Sequence, residues 1–274
     1  MLFYRKVAKL CSLTLCYLSM CEKGEAIMAG EGAISALGSL LSIKGQSLLP
    51  ICVQALYNMT CAMDHFKELE RIIKALLNIT SSGFDHSDFL VKALVNCSRF
   101  SWMRLRIIED GALNCLNSLL PTIYGRENRV ELCYNVLVAI RSLSESSGCR
   151  AEMLQKGTID IINNMLTHVD DKGKLLIIKI IHNFLQVPAT STAMNTSSFE
   201  TAVTMAAQIV HSTTLVSTLQ YCAACFHIFT KERLREAMAI IIIDAMSILL
   251  RSRDPLTQFF SISTSGNLFF NNLW

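Results

Sequence analysis

Between residues 152 and 188 the chain reads EMLQKGTIDIINNMLTHVDDKGKLLIIKIIHNFLQVP. Its apolar positions recur at helical spacing, which predicts two amphipathic helices joined by a short polar turn. In the second of these, positions 175, 176, 177, 178, 180, 181, 184 and 185 are apolar, and Lys174, Lys179 and Asn183 interrupt them. A helix apolar around most of its circumference must be covered from several sides. One hairpin cannot cover it, so neighbouring copies must stack on it.

Such copies are present. An Asn near the end of the second long helix marks them clearly at Ala55-Leu56-Tyr57-Asn58-Met59, Ala93-Leu94-Val95-Asn96-Cys97 and Ile180-Ile181-His182-Asn183-Phe184. Weaker echoes surround Ser19, Ser142, His227 and Asn267, and successive markers are separated by 39, 38, 46, 41, 44 and 40 residues. A period near 40 belongs to helical solenoids. A second marker, Gly32-Ala33-Ile34, Gly111-Ala112-Leu113 and Gly157-Thr158-Ile159, precedes helices expected over 34–43, 113–120 and 159–166. The expected repeats are 1–22 (partial), 23–63, 64–101, 102–146, 147–187, 188–230 and 231–274. The third of these is expected to hold helices near 66–80 and 87–100.

The segments Ile107-Ile108-Glu109-Asp110-Gly111-Ala112-Leu113 and Met153-Leu154-Gln155-Lys156-Gly157-Thr158-Ile159 resemble the junction between the first and second helices of armadillo repeats. In that family the glycine turns the chain sharply, because only Gly takes positive φ without steric cost. Gly32, Gly111 and Gly157 are the corresponding structural hinges. Ala-Leu-x-Asn resembles the end of the family's third helix. The resemblance implies an all-α, right-handed armadillo-type α-solenoid of about six repeats with a partial N-terminal one, forming a single domain. It is most specific over 24–63, 102–146 and 147–187 and weakest after Pro188.

Composition agrees with a folded helical chain: 51% of the 274 residues are hydrophobic, 17% are charged, and Pro occurs only 4 times. The net charge of +3 shows no block of one sign, so nucleic-acid binding through a basic surface is not expected. The 11 Cys lie in apolar runs and read as reduced, mostly buried thiols. Arg5, Lys6 and Lys9 followed by the apolar run 10–20 outline a secretory signal, but that run keeps the repeat register. Glu22-Lys23-Gly24 offers no small-residue cleavage site. The apolar stretch 237–250 is shorter than a membrane span and contains Asp244, so a buried solenoid helix is expected there. The polar stretch 189–198 reads as a surface loop, and the apolar end (Phe269, Phe270, Leu273, Trp274) as a face that further elements cover or that continues into a longer array.

No constellation for catalysis or metal binding emerges. Cys222 and Cys225 with His227 lack a second ligand pair and sit within an apolar helical run. Asp170-Asp171 and Glu109-Asp110 are adjacent carboxylates, which do not face each other on a helix. The N-x-S/T sequons at Asn58, Asn78, Asn96 and Asn195 read as chance matches, the first three in helices that must pack. No cofactor is implied.

The resemblance also implies where a partner binds. Third helices line the inner groove of an armadillo solenoid, and their Asn side chains hold the backbone of an extended peptide. The groove candidates are therefore Asn58, Asn96 and Asn183. Importin-alpha-like grooves carry Trp four residues before the Asn, where this chain has Gln54, Lys92 and Lys179. With Arg141, these lysines make the lining mildly basic, nearer to beta-catenin-like grooves that receive acidic segments. The resulting expectation is a non-catalytic protein-interaction scaffold for a protein or acidic peptide partner. Its expected location is the cytoplasm, with nucleus or cilium as variants. The alternative is the repeat region of a larger ubiquitin ligase or a nuclear-transport adaptor.

Overall fold

A computed structural model describes residues 2–21, 23–41, 48–62, 66–80, 87–186, 194–231 and 234–270. Among them the regular structure is helical. The chain divides into two compact units, Met1–Gly125 and Arg126–Trp274.

The first unit holds α1 (Leu2–Leu18), α2 (Gly24–Gly30), α3 (Ala33–Leu41), α4 (Leu49–Ala62), α5 (Phe66–Thr80), α6 (Ser87–Ser98), α7 (Ser101–Glu109) and α8 (Ala112–Tyr124). The second holds α9 (Arg129–Ser144), α10 (Ser147–Gln155), α11 (Thr158–Met165), α12 (Asp171–Leu185), α13 (Thr196–Ser212), α14 (Val216–Phe229), α15 (Glu236–Leu249) and α16 (Pro255–Phe270). The stretch first read as a hairpin is thus a three-helix repeat, α10–α11–α12. Its polar turn is a one-turn 3-10 helix, Leu166–His168, followed by an extended step. The sequences 66–98, 196–229 and 236–270 instead form two-helix repeats.

The third helices form the buried layer. In the first unit α1 packs on α4 and α4 on α6; in the second, α9 packs on α12, α12 on α14 and α14 on α16. Ile177, Ile178, Ile180, Ile181 and Phe184 of α12 are fully buried. Burying a side chain of this size stabilises by about 1.5–3 kcal/mol, which is why α12 has no independent existence as a helix.

Local chemistry sets the joints. Gly32, Gly111 and Gly157 have φ of 80°, 92° and 73°, each just before a second helix. Gly111 and Gly157 are the N-cap residues of α8 and α11. Asp170 caps α12: its carboxylate accepts from the Gly173 N–H at 2.9 Å. Asp171 pairs with Lys174 at 3.2 Å. Arg104 Nε donates to the Ser98 carbonyl and Arg150 Nε to the Ser144 carbonyl, both at 2.8 Å. Each arginine thereby satisfies a C-terminal carbonyl of the preceding third helix, where a cation also complements the helix dipole.

Several expectations change. The apolar run 237–250 forms α15, but only one side is buried: Ile240 is 61% exposed, and Asp244 pairs with His211 of α13 at 3.0 Å. Asn78 is exposed on α5 rather than packed. Asn195 is the N-cap of α13, accepting from Ser198 N–H at 2.8 Å, so its sequon is a capping signal. Residues 189–193 of the polar stretch, together with Leu273 and Trp274, lie outside the described residues. Phe269 and Phe270 are exposed at the end of α16.

Candidate functional site

The third helices are buried on most of their surface and open along one stripe. From Leu176 to the C-cap of α12 the half-buried or exposed positions are Lys179, His182, Asn183 and Gln186. The same steps relative to the Asn pick out Gln54, Tyr57, Asn58 and Cys61 on α4, and Lys92, Val95, Asn96 and Arg99 on α6. On α9 they give Val138, Arg141, Ser142 and Glu145. All these positions retain solvent access. An i, i+3, i+4, i+7 set lies on one helical face, so each third helix presents one four-residue strip.

The asparagines have a role beyond that stripe. Asn58 Nδ2 donates to Ser19 Oγ at 3.0 Å, Asn96 Nδ2 to Thr60 Oγ1 at 3.1 Å, Asn183 Nδ2 to Ser144 Oγ at 2.9 Å and Asn267 Nδ2 to Thr230 Oγ1 at 3.1 Å. Each hydroxyl in turn donates to a carbonyl of its own helix: Cys16, Tyr57, Arg141 and Phe226. The hydroxyl proton is therefore spent on a carbonyl, and its oxygen must accept from the amide. Third helix is stitched to third helix by the relay N–H···O–H···O=C.

This relay explains two sequons. Asn58 and Thr60, like Asn96 and Ser98, lie two residues apart because the Asn reaches back to the preceding helix. Thr60 accepts from the following one, and Ser98 Oγ repeats the carbonyl bond, to Val95. The register also corrects two assignments: counting two back from the hydroxyl residues places Tyr17, not Ser19, in the Asn slot of α1, and Ile228, not His227, in that of α14.

A second, aromatic ladder runs beside the first. The residue before the Asn slot meets the residue seven before the next slot. These pairs are Tyr57 with Phe89 (centroids 5.6 Å apart), His182 with Tyr221 (5.3 Å, edge-to-face) and His227 with Phe260 (5.9 Å). Lys179 Nζ lies 5.2 Å from the Tyr221 ring centroid, within cation–π range. Only Lys179 in this set was legible from the sequence. Stepping back by one and by seven from Asn58, Asn96, Asn183 and Asn267 reaches Tyr57, Phe89, His182 and Phe260, whereas Tyr221 and His227 are counted from Ile228, a slot that only the relay register places.

The candidate cations differ in environment. Arg141 is held by Glu145 at 2.9 Å. Lys179 bonds no carboxylate among the described residues. Its pKa is pushed down, first by desolvation and then by the Arg141 charge. Desolvation lowers the pKa of His182, with Arg150 adding to it, and that of His227, with Lys231 adding to it. Nδ1 of His227 is buried and has no hydrogen-bond partner among the described residues. Among the candidates, Arg141, Lys179 and Asn183 are brought together in the second unit, and Asn58, Lys92 and Asn96 lie on α4 and α6 of the first.

Cys222 and Cys225 are fully buried in α14, and burial raises both pKa values. Among the described residues no group of His, Cys, Asp or Glu could hold a metal ion. No helix among them is long and apolar enough to cross a membrane. A cavity of about 580 Å³ between α13 and α15 is lined by Thr204, Gln208, His211, Ile240 and Asp244, and contains no nucleophile poised on the His–Asp pair.

No protein-family model matches the sequence, and no curated protein matches it. Solved structures do. An engineered protein superposes with a TM-score of 0.63 over 94% of this chain at 15% identity; the match spans 63% of that protein's length. A computationally designed armadillo repeat protein for modular peptide recognition gives 0.63 at 13% identity, covering 85% of this chain and 99% of that one. A designed armadillo repeat protein in complex with the peptide (KR)4 gives 0.60 at 13% identity, covering 85% and 98%. Read with the positive-φ glycines and the stacked third helices, these likenesses establish the architecture: the chain has the all-α fold of an armadillo-type solenoid.

Proposed function

We propose that the chain is a non-catalytic scaffold that holds an extended acidic peptide segment against the open stripes of its third helices. The observation that carries this reading is Lys179. Its ammonium is partly desolvated on the open face of α12, repelled by Arg141 and without a carboxylate partner among the described residues. A carboxylate from outside would relieve both costs.

The surroundings support the same sign. Among the described residues the open stripes of α9, α12 and α14 carry Arg141, Lys179 and Lys231 against the single acid Glu145. The Asn relay spends one amide hydrogen on the neighbouring helix and leaves the side-chain oxygen of Asn183 to face a peptide N–H. The armadillo designs of the same fold are peptide binders, one of them shown with the basic peptide (KR)4. With cations on its own stripes, this chain suits the opposite charge.

Fluorescence anisotropy with labelled (Glu-Asp)4 and (Lys-Arg)4 peptides tests the reading. The acidic peptide should bind, the basic one should not, and Lys179→Glu should weaken acidic-peptide binding by about tenfold or more, with strong salt dependence. Equal binding of the two peptides, or an unaffected Lys179→Glu variant, overturns it. Lys179 is the better probe than Asn183, because replacing Asn183 also breaks the stitch to Ser144.

A further inference from the structure

Tyr221 projects from α14 between two basic side chains of α12. Lys179 Nζ sits 5.2 Å from its ring centroid, and the His182 ring meets it edge-on at 5.3 Å. Lys179 and His182 are one helical turn apart, so one aromatic ring braces two nitrogen-bearing side chains on the same open stripe. The Gln186 amide lies 2.9 Å from His182 Nε2 on the next turn: its NH2 donates to the neutral ring, and turned over its oxygen accepts from the imidazolium.

The groups that face this spot are predominantly cationic. Arg141 and Glu145 come from α9, with Arg141 close enough to be felt at Lys179. Arg150 of α10 is felt at His182, although its guanidinium is anchored to the Ser144 and Glu145 carbonyls. The 3-10 turn that packs on α12 carries His168. From α13, Glu200 and His211 are paired with Arg235 and Asp244 of α15. Among the described residues Glu145 is thus the one carboxylate at the spot, and Arg141 pairs with it at 2.9 Å.

We propose that Lys179 and His182, braced by Tyr221, form a subsite for a phosphorylated side chain of the bound peptide, and that His182 takes up a proton from solvent as the phosphate enters. The inference rests on the acidic-peptide reading and specifies its ligand. A phosphoryl group brings up to two negative charges and three acceptor oxygens, enough to engage both nitrogens together, whereas a carboxylate brings one charge. In the free protein desolvation and Arg150 favour the neutral imidazole. A dianion beside it reverses that balance.

Titration calorimetry in two buffers of different ionisation enthalpy tests this. The probes are one peptide carrying either phosphoserine, Glu or Ser at its centre, with inorganic phosphate as a fourth ligand. At about pH 7.5, where phosphate is dianionic and His182 neutral, the phosphoserine peptide should bind about tenfold tighter than the Glu peptide. It should also take up a fraction of a proton, approaching one. His182→Gln should abolish proton uptake and reduce the phosphate preference while still binding the Glu peptide. Tyr221→Leu, which removes the brace and keeps an apolar contact, should weaken the phosphoserine peptide more than the Glu peptide. Equal affinity for the two charged peptides, proton uptake that survives His182→Gln, or inorganic phosphate binding as tightly as the peptide overturns the inference and leaves the acidic-peptide reading standing. Failure of every peptide overturns both.

Discussion

Asn183 shows how much one side chain can be asked to do. Its amide holds α12 to α9 through Ser144, whose own proton goes to the Arg141 carbonyl. A part-buried hydrogen bond of this kind is worth about 0.5–1.5 kcal/mol net. Asn183→Ala and Ser144→Ala should each destabilise by about 1 kcal/mol, and the double variant should cost clearly less than the sum, because either change breaks the same relay. Strict additivity in urea melts would show that the two residues are independent. The histidines give a pH test at the same scale. His182 and His227 have lowered pKa values in the folded chain, by desolvation first and by Arg150 or Lys231 second. The unfolded chain therefore binds more protons in the range below the ordinary histidine value of about 6.5, and stability must fall as pH drops through it. Melting temperature measured between about pH 7.5 and about pH 5 should decline, and less steeply in His182→Gln. An unchanged slope in that variant would refute the assignment.

At the scale of the element, backbone conformation decides what a helix junction accepts. Gly157 sits at φ 73°, and an added Cβ would meet only Asp160 Oδ2 at 3.5 Å, an ordinary contact, so the obstacle to a side chain there is torsional. Gly157→Ala should cost about 1–2 kcal/mol, the usual penalty for an L-residue in the left-handed region. Gly173 presents the opposite case: its backbone is helical, but an added Cβ would lie 2.5 Å from Val169 Cβ. Gly173→Ala should therefore destabilise through a clash that Val169→Ala does not remove, since the obstructing atom is the β-carbon itself. Thermal melts of Gly157→Ala, Gly173→Ala, Val169→Ala and the Gly173→Ala/Val169→Ala pair check both statements; an unchanged melt of Gly157→Ala would contradict the first and full rescue by Val169→Ala the second. The arginine caps are also element-scale devices. Arg104 and Arg150 each lie six residues after a hydroxyl residue that ends a third helix, and the spacing alone would have flagged them.

At the scale of the whole molecule, stacking distributes solvent access among the eleven cysteines. Cys11, Cys21 and Cys61 are exposed, Cys115 is intermediate, and the other seven are buried. Burial pushes the Cys97 thiol up to about 12 and Cys133 up to about 11, and it raises Cys222 and Cys225 as well. Reactivity follows the thiolate, so a thiol-specific reagent at about pH 8 should modify Cys11, Cys21 and Cys61 rapidly, and all eleven only after denaturation. Peptide mapping that found Cys222 or Cys225 in the fast class would show that α14 is not packed as described.

The period near 40, the buried character of α12 and the glycines at 32, 111 and 157 were legible in the order of residues alone. Hydrophobic periodicity and positive φ are local properties, and the chain states them directly. The candidate cations were also reachable, because Lys92 and Lys179, four before Asn96 and Asn183, and Arg141, one before Ser142, fall on one helical face. The partner of each Asn was not: Ser19, Thr60, Ser144 and Thr230 lie 36 to 39 residues away, and only stacking brings them within 3.1 Å. The same holds for Tyr221, whose meeting with Lys179 and His182 joins two helices across a loop. Sequence spacing determines which residues share a face. The packing of one helix on the next decides which faces meet, because side chains distant along the chain become neighbours only through the surfaces that burial forces together.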